Sequence, residues 1–543
     1  MQFTRTIALV LVGLVVASCA QSEAMDTQSA AGTIGVRADE GAVLGADAQG
    51  LSELDVLERG AREEEAEGES PELDAADAEE EQPVPLSGDA WVEGNTSNPL
   101  ALWVLASVNQ PLELKVAAWS ASELLWESAW SERGLEHRVA VLGLRPGVEV
   151  ELHLHIKDEA GEEILWQSLA HTSALLAPTL PSISASTYLQ GERAPGWTFF
   201  GLQTRGEEVD PSWPLYMAVD AHGVPRWVYQ DDALSHEGVV RDVRLLDSGD
   251  LMLLLPEGVR IVGFDGETRF EWLEGENLPE AYHHDARVLP WGNIVILGRE
   301  VRTLALDSLA GEYDVRGDTL KEFDEEGQLV WSWSTFDHLD TERLPGPLSS
   351  VPNQQGGFLD WTHANSLSYA QESDTFLVSL RHQNQVIRLS RGDGEVLERI
   401  GDGGDYTLQS GEWFYSQHSP ELDAEGGLLI YDNGNERPDE SGRALLPKAE
   451  RYSRAVYYAL DPLTKEATQL WSYTMPEFTA FVGGIERLST GNVLVCAGGV
   501  RGSKGSGLAR LHEVVGTAPA LLIWSLEVEG FVYRARRLEL PKL

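Results

Sequence analysis

Two short patterns alternate along the chain after residue 200, and this repetition constrains the fold more than any other feature. The first joins an apolar residue, a turn that often holds Asp and Gly, and an aromatic strand, as in VDAHGVPRWVY, FDGETRFEW and FDEEGQLVWSW. The second joins Leu, a polar turn with Gly, and three apolar residues, as in RLLDSGDLMLL, RVLPWGNIVIL and RLSTGNVLVCA. Six copies of each, at uneven spacings of about 45–70 residues, fit four-stranded blades with variable outer loops. We therefore predict a six-bladed β-propeller over residues 181–543, with seven blades as the alternative.

The preceding part of the chain carries shorter strand signals. Residues 86–180 contain apolar or alternating runs such as ALWVLASV, HRVAVLGL and VEVELHLHI, separated by turns such as Arg145-Pro146-Gly147. That spacing is typical of a small β-sandwich. The predicted fold class is thus all-β, an N-terminal β-sandwich followed by the propeller.

The N-terminus has the pattern of a processing signal. Arg5 precedes an apolar run from Ile7 to Ala17, which is too short to span a bilayer as a mature helix. The run ends in VASC, which is similar to a bacterial lipobox, so residues 1–19 are interpreted as a lipoprotein signal with Cys19 lipidated. An ordinary secretory peptide is the alternative. The interpretation predicts export and lipid anchoring in the cell envelope, at the outer membrane. The other cysteine, Cys496, then has no intramolecular disulfide partner and is interpreted as a buried small hydrophobic residue.

Residues 20–85 predict an acidic tether between the anchor and the body. This segment includes AREEEAEGESPELDAADAEEE and contributes to a net charge of −48. Such a composition buries too little apolar surface to fold by itself. The acidic balance also argues against nucleic acid as a partner, because phosphates would not be neutralised. Contact with a membrane is expected only through the lipid anchor.

Histidines recur at matching positions of the second pattern. His284 and His418 each lie eight residues before the first turn glycine of their copies, Gly292 and Gly426. His363 begins the equivalent strand in DWTHANSLSYAQESDTFLVSL, where a longer turn replaces the glycine turn. Equivalent positions of propeller blades lie at the same end of the central channel, so these three histidines are predicted to converge.

In two pairs of adjacent residues, the pattern does not decide which member faces the central channel. Since adjacent strand residues face opposite ways, His283 competes with His284, and His382 competes with Arg381. Arg381 emerges at the end of the strand that follows His363, close to the predicted funnel.

Three convergent histidines allow two kinds of chemistry. Neutral imidazoles can hold zinc or a similar metal. With Arg381 and Asn365, they can instead bind an oxyanion and transfer a group, one imidazole acting as nucleophile. A guanidinium presents a planar fork of donors to a tetrahedral anion and is an awkward neighbour for a cation. The anion interpretation is therefore favoured, with no metal or other cofactor expected.

Several motifs together resemble the bacterial arylsulfate sulfotransferase family. They are DWTHANSL, LVSLRHQNQVIRL, YSQHSPEL followed by IYDNGNERP, SRAVYYALDP and HHDARVLPWGN, in family order over roughly residues 90–500. The resemblance implies a β-sandwich followed by a six-bladed propeller. The implied activity moves a sulfuryl group from a phenolic sulfate ester to another phenol, without a nucleotide sulfate donor.

The resemblance also implies roles for particular residues. His418 matches the histidine that is transiently sulfurylated, and His363, Asn365 and Arg381 match residues that hold the sulfuryl oxygens. His284, with His283 as the alternative, matches a candidate general acid/base for the phenolic oxygen. The segment before His418 lacks the cysteine pair that some family members carry, which puts the shape of the acceptor side in doubt.

Two other functions compete with this hypothesis. One is a metal-dependent hydrolase or lyase that uses the histidines as ligands, and the other is a surface-anchored binding propeller without catalysis. The expected partners are small phenolic sulfates and phenols, with a homodimer through the sandwich as an open possibility. The natural donor and acceptor do not follow from the sequence.

Overall fold

A computed structural model describes residues 85–157, 161–176, 180–202, 216–229, 240–307, 309, 311–344, 357–439, 441–442, 444–501 and 507–539. The predicted signal segment, Cys19 and nearly all of the acidic tether lie outside the described residues. Within the part of the chain that the structure describes, none of the helices has the length and apolarity that a membrane crossing requires.

Two antiparallel sheets form the N-terminal part of the structure. The three-stranded sheet pairs β1 (Gly88–Gly94), β2 (Leu102–Leu112) and β5 (Gly134–Val141), with β2 in the middle. The four-stranded sheet contains β3 (Leu114–Ser120), β4 (Glu123–Glu127), β6 (Glu149–Lys157) and β7 (Glu163–Thr172), in the order β4-β3-β6-β7. Buried and more exposed residues alternate along β2 and β6, so each presents one apolar face. That the two sheets pack as a sandwich stays a prediction.

Six sheets of four or five strands follow among the described residues, and each is one blade of a β-propeller. The first three blades are formed by β9 (Trp197–Gly201), β10 (Tyr216–Val219), β11 (Pro225–Tyr229) and β34 (Ala535–Leu538); by β12 (Val243–Leu245), β13 (Leu251–Leu254), β14 (Gly258–Val262) and β15 (Thr268–Leu273); and by β16 (Ala286–Val288), β17 (Ile294–Ala305), β18 (Glu312–Phe323) and β19 (Leu329–Ser334), with β20 (Leu359–Asp360) parallel to β18.

The last three blades have the same order of strands. They are formed by β21 (Ala364–Ala370), β22 (Thr375–Leu380), β23 (Gln385–Ser390) and β24 (Val396–Gly401); by β26 (His418–Leu422), β27 (Leu428–Asp432), β28 (Arg454–Asp461) and β29 (Glu466–Thr474), with β25 (Thr407–Ser410) beside β29; and by β30 (Gly484–Arg487), β31 (Val493–Arg501), β32 (Gly507–Val514) and β33 (Leu522–Glu529), with β8 (Ile183–Thr187) beside β33. The helical turn α1 (Thr335–His338) and the 3-10 turns Gln371–Ser373 and Arg381–Gln383 connect strands.

The two sequence patterns correspond to the two halves of a blade. The second pattern forms the inner two strands, for example β16 and β17, while the first forms the outer two, for example β18 and β19. The longer turn that follows the strand at His363 is the 3-10 turn Gln371–Ser373, which joins β21 to β22. The all-β, six-bladed prediction is confirmed.

Aromatic residues of the first pattern connect neighbouring blades. The indole nitrogens of Trp227, Trp333 and Trp524 each donate to a backbone carbonyl in the next blade, at 2.8, 2.9 and 2.8 Å respectively. Burying an aromatic side chain of this size contributes about 1.5–3 kcal/mol, and a buried indole needs a hydrogen-bond partner. These three tryptophans thus supply both apolar packing and a polar link between blades, whereas the indole nitrogens of Trp272 and Trp471, in the outer strands of the second and fifth blades, have no hydrogen-bond partner among the described residues.

The ends of the ring are joined by strand pairing. β34, from the end of the chain, pairs antiparallel with β9 and becomes the inner strand of the first blade. β8, which precedes β9, pairs with β33 at the outer edge of the sixth blade. Because the chain crosses the junction twice, the first and sixth blades are linked by backbone hydrogen bonds.

Candidate active site

The three predicted histidines lie where the inner strands of three consecutive blades begin. His284 precedes β16, His363 precedes β21, and His418 is the first residue of β26. His284 and His363 have φ angles of 57° and 49°, in the left-handed region, which costs a non-glycine residue about 1–2 kcal/mol. Strain of this kind is often found at functional sites.

The structure brings these imidazoles together. The ring centroids of His284 and His363 are 4.9 Å apart, and the ring of Tyr533 lies 6.2 Å from His284 and 6.4 Å from His418. Tyr533 comes from the loop before the closing strand β34, whose side chains the sequence analysis left unassigned. The ring of Tyr533 thus lies near both His284 and His418.

The hydrogen bonds around His418 determine its tautomer. Its Nδ1 lies 2.6 Å from Asn433 Oδ1, while Asn433 Nδ2 donates to the carbonyls of Thr479 and Val482, both at 3.0 Å. Since these carbonyls fix the amide orientation, Oδ1 must accept, and His418 Nδ1 must carry the proton. Burial and the charge of Arg381 lower the pKa of His418 well below its ordinary value. The neutral ring therefore has its lone pair on Nε2.

His363 has a carboxylate as its partner. Its Nδ1 lies 2.6 Å from Asp360 Oδ2, and the same carboxylate oxygen is 3.7 Å from His382 Nδ1. Burial opposes ionisation of Asp360, but the neighbouring His363 and His382 lower the pKa of this carboxyl below its usual range. Asp360 is thus an anion behind His363, a partner that the sequence analysis missed although it lies only three residues away.

His382 helps to hold Asp360 and His363 in place. Its Nδ1 donates to the backbone carbonyl of Asp360 at 2.8 Å, and its ring centroid lies 4.5 Å from that of His363. Desolvation lowers the pKa of His382 to about 3, so the ring is neutral. His382 thus contacts the residues that hold His363. Arg381, on the same 3-10 turn, extends instead to the backbone carbonyl of Ala480.

His283 and His284 face different surroundings. His283 is buried and its Nε2 lies 3.1 Å from Asp318 Oδ1 and 3.0 Å from the carbonyl of Gly298. Its Nδ1 lies 2.8 Å from His284 Nδ1, and only His284 contacts the ring of His363. Of the pair, His284 is therefore the member that joins the histidine cluster.

Arg381 and Asn365 are held by backbone carbonyls. Arg381 Nη2 donates to the carbonyl of Ala480 at 3.1 Å, which also accepts from Asn435 Nδ2 at 2.8 Å. Asn365 is fully buried and donates from Nδ2 to the carbonyl of Gln417 at 2.8 Å. Its Oδ1 has no hydrogen-bond partner among the described residues. Arg381 supplies positive charge beside His418, whereas Asn365 braces the strand that begins at His418.

A buried arginine connects the closing strand to the inner strands. Arg534 Nη1 lies 2.7 Å from Asp285 Oδ2 and 3.3 Å from Asp242 Oδ2, and its Nη2 donates to the carbonyl of Asn365 at 2.7 Å. Both aspartates immediately precede the inner strand of their blades. An alignment of all six copies of the second pattern would have found these charges, since they occupy equivalent positions.

One group of side chains among the described residues could hold a metal ion. Asp360, His363 and His382 offer ligand atoms that all lie within 4.8 Å of one another. Two imidazoles and a carboxylate are a ligand set suited to first-row divalent metals. The charges of Arg316 beside Asp360 and of Arg381 beside His382 oppose a cation there. The surroundings favour the hydrogen-bonded arrangement over a metal centre.

The fold and this cluster define a six-bladed β-propeller protein with buried and half-buried histidines gathered where its inner strands begin. The family model for arylsulfotransferase (ASST) matches residues 206–520 of the chain. The chain belongs to the arylsulfotransferase family.

Individual relatives are more distant. The chain is 24% identical over 325 residues to the arylsulfate sulfotransferase AssT of Escherichia coli O6:H1 strain CFT073, which is 48% of this chain and 52% of that protein. The chain thus matches about half the length of this curated relative. A Bacteroides caccae protein of unknown function is 11% identical, with 63% of this chain and 98% of that chain covered and a TM-score of 0.36. A Pseudomonas aeruginosa periplasmic gluconolactonase is 13% identical, with 80% and 100% covered and a TM-score of 0.31.

Proposed function

We propose that the protein is an arylsulfate sulfotransferase, which moves a sulfuryl group from a phenolic sulfate ester to a phenol through a covalent intermediate on His418. Family membership and the relative AssT support the reaction class. The single observation that carries the assignment of the nucleophile is the hydrogen bond from His418 Nδ1 to Asn433 Oδ1. A neutral imidazole held in this tautomer presents the Nε2 lone pair as a nucleophile.

In the first half-reaction, His418 Nε2 attacks the sulfur of the donor. The new N–S bond forms as the bond between sulfur and the phenolic oxygen breaks, and the electron pair leaves with the phenolate. Arg381 supplies positive charge to the sulfuryl oxygens, and His363 is held beside them by the hydrogen bond of its Nδ1 with the Asp360 carboxylate. Asn365 stabilises the backbone that carries His418 and does not itself need to touch the donor.

In the second half-reaction, an acceptor phenol attacks the same sulfur. The S–O bond forms, the N–S bond breaks, and the electron pair returns to His418 Nε2. A base must take the phenolic proton, and His284 is the candidate because its ring contacts His363 and lies near Tyr533. Release of the first phenolate before the acceptor phenol binds predicts ping-pong kinetics.

The test uses the full chain with 4-nitrophenyl sulfate, with and without added phenol. We expect sustained nitrophenol release only with phenol, no release by His418→Ala, and normal release by the control His222→Ala, which changes an exposed histidine. Sustained release without phenol would identify a hydrolase on the same scaffold. Loss of activity on chelation would favour the metal-dependent alternative, and binding without turnover would favour a binding propeller.

The envelope location is part of this proposal. Cys19 and the acidic tether would hold the enzyme at the outer membrane. Metabolic labelling with a palmitate analogue tests the anchor, with Cys19→Ser as the control. Label that persists in Cys19→Ser would refute lipidation at this residue.

A further inference from the structure

Asp318 connects two of the histidine positions from the middle of β18. Its side chain lies in the interior, at 3% exposure. Oδ1 lies 3.1 Å from His283 Nε2, while Oδ2 accepts from Thr362 Oγ1 at 2.5 Å and from the backbone nitrogen of Ala364 at 2.6 Å. Thr362 and Ala364 flank His363. One carboxylate therefore supports the His283–His284 pair and the backbone of His363.

The contacts of His283 determine the tautomers of both histidines. Its Nε2 faces two acceptors, the carboxylate of Asp318 and the carbonyl of Gly298, so Nε2 carries the proton. In neutral His283 the lone pair is then on Nδ1, which accepts from His284 Nδ1 at 2.8 Å. His284 in turn has its lone pair on Nε2, on the part of the ring away from His283. Burial lowers the pKa of both histidines, which favours these neutral forms.

We propose that Asp318 is a positioning residue, which fixes the tautomer of His283 and thereby makes His284 Nε2 the general base for the acceptor phenol. The inference rests on the proposed sulfuryl transfer. It assigns the proton transfer of the second half-reaction to the hydrogen-bonded series Asp318, His283 and His284. The proton of the acceptor hydroxyl moves to His284 Nε2 as the phenolic oxygen attacks sulfur and His418 leaves. The resulting positive charge is stabilised by Asp318 through His283. The proton is given to the departing phenolate of the next donor.

The replacement Asp318→Asn reverses the chain of hydrogen bonds without removing its volume. The backbone nitrogen of Ala364 can only donate, so the asparagine oxygen must face Ala364 and Thr362. The asparagine NH2 group then faces His283 Nε2 in place of a carboxylate and favours the form in which Nε2 accepts, against the carbonyl of Gly298 at 3.0 Å, which still favours a proton there. His283 Nδ1 becomes the donor, and His284 is left with its proton on Nε2. In this form His284 cannot accept the phenolic proton.

The two half-reactions separate this role from a structural one. Formation of the intermediate from 4-nitrophenyl sulfate needs little protonation of the leaving group, because 4-nitrophenolate is stable at neutral pH. We expect Asp318→Asn to retain a burst of one nitrophenol per active site. Turnover with phenol should fall by about 10²–10⁴-fold, the usual contribution of a general base. An acceptor phenol that is already ionised at the assay pH should restore most of the rate.

The experiment compares the full-length wild type, Asp318→Asn and the control Asp314→Asn, which changes an exposed aspartate on the same strand. Equal loss of burst and turnover in Asp318→Asn, or no loss of either, overturns the inference. The imidazole 15N shifts test it without turnover: His283 should carry its proton on Nε2 in the wild type and on Nδ1 in Asp318→Asn. Absence of phenol-dependent release from the wild type would instead refute the proposed function.

Discussion

Replacing Asn433 by Ala tests the claim that this amide prepares His418 as the nucleophile. The substitution removes three buried hydrogen bonds, at 2.6, 3.0 and 3.0 Å. Thr479 O keeps a second donor, Ser453 Oγ at 3.2 Å. His418 Nδ1 and Val482 O therefore lose their hydrogen bonds to Asn433.

The expected loss of stability follows from these two groups. A buried polar group left without its partner costs about 1–3 kcal/mol, so the free energy of unfolding should fall by roughly 2–6 kcal/mol. At about 2.1 cal/mol/K per residue over roughly 350 residues of the ring, this lowers the Tm by about 3–8 °C if the ring unfolds as one unit. The burst rate should fall by about 100-fold or more, because a freed imidazole no longer holds its attacking geometry.

The assay pairs a thermal melt with the single-turnover burst from 4-nitrophenyl sulfate. Asn492→Ala is the matched control, since Asn492 in the sixth blade donates one buried hydrogen bond to Glu513 Oε1 and one partly buried hydrogen bond to Glu192 O. This control should lower the Tm while leaving the burst rate unchanged. A lowered Tm with a burst rate within about threefold of the wild type in Asn433→Ala would refute the positioning of His418 by Asn433.

Three further predictions concern charge and packing. Because the pKa of Asp360 is lower in the folded protein than in an unfolded chain, the ionised carboxylate stabilises the fold above the ordinary carboxyl pKa. This contribution is lost progressively as pH falls below about 4. Melting curves of Asp360→Asn should lack that part of the pH dependence. Arg534→Gln removes one of the two arginines that lie 2.7 Å from buried Asp285, while Arg244 remains, and should destabilise the protein by about 3 kcal/mol in denaturant titrations, the lower end for a broken buried pair; an unchanged midpoint would contradict this. Gly498→Ala would place a Cβ 1.6 Å from Val532 O, so we expect weaker ring closure, measured as faster hydrogen exchange in β34.

The sequence was sufficient for the repeat architecture and for the convergence of His284, His363 and His418. These conclusions depend on the spacing between a histidine and the following turn, which the fold repeats from blade to blade. Alternation also identified the uncertain pairs, although Arg381 and His382 lie on a 3-10 turn where strand alternation does not apply.

The partners of the histidines could not be predicted in the same way. Asn433 lies 15 residues after His418, and Asp318 lies 35 residues after His283, on another strand of the same blade. Which polar side chain faces an imidazole depends on strand register and on local left-handed residues, neither of which a repeat pattern specifies. Tyr533 is a related case, because only closure of the ring brings the end of the chain beside residues from the third and fifth blades.

The closing strand has a consequence for the biosynthesis of the protein. During translation, His418 and all of the other histidines discussed here are made well before Tyr533 and Arg534. A nascent or prematurely terminated chain that lacks the final dozen residues would contain the nucleophile, but Asp242, Asp285 and the carbonyl of Asn365 would lack the contacts of Arg534. A chain that stops before Arg534 is therefore expected to order this site less well than a chain that includes it.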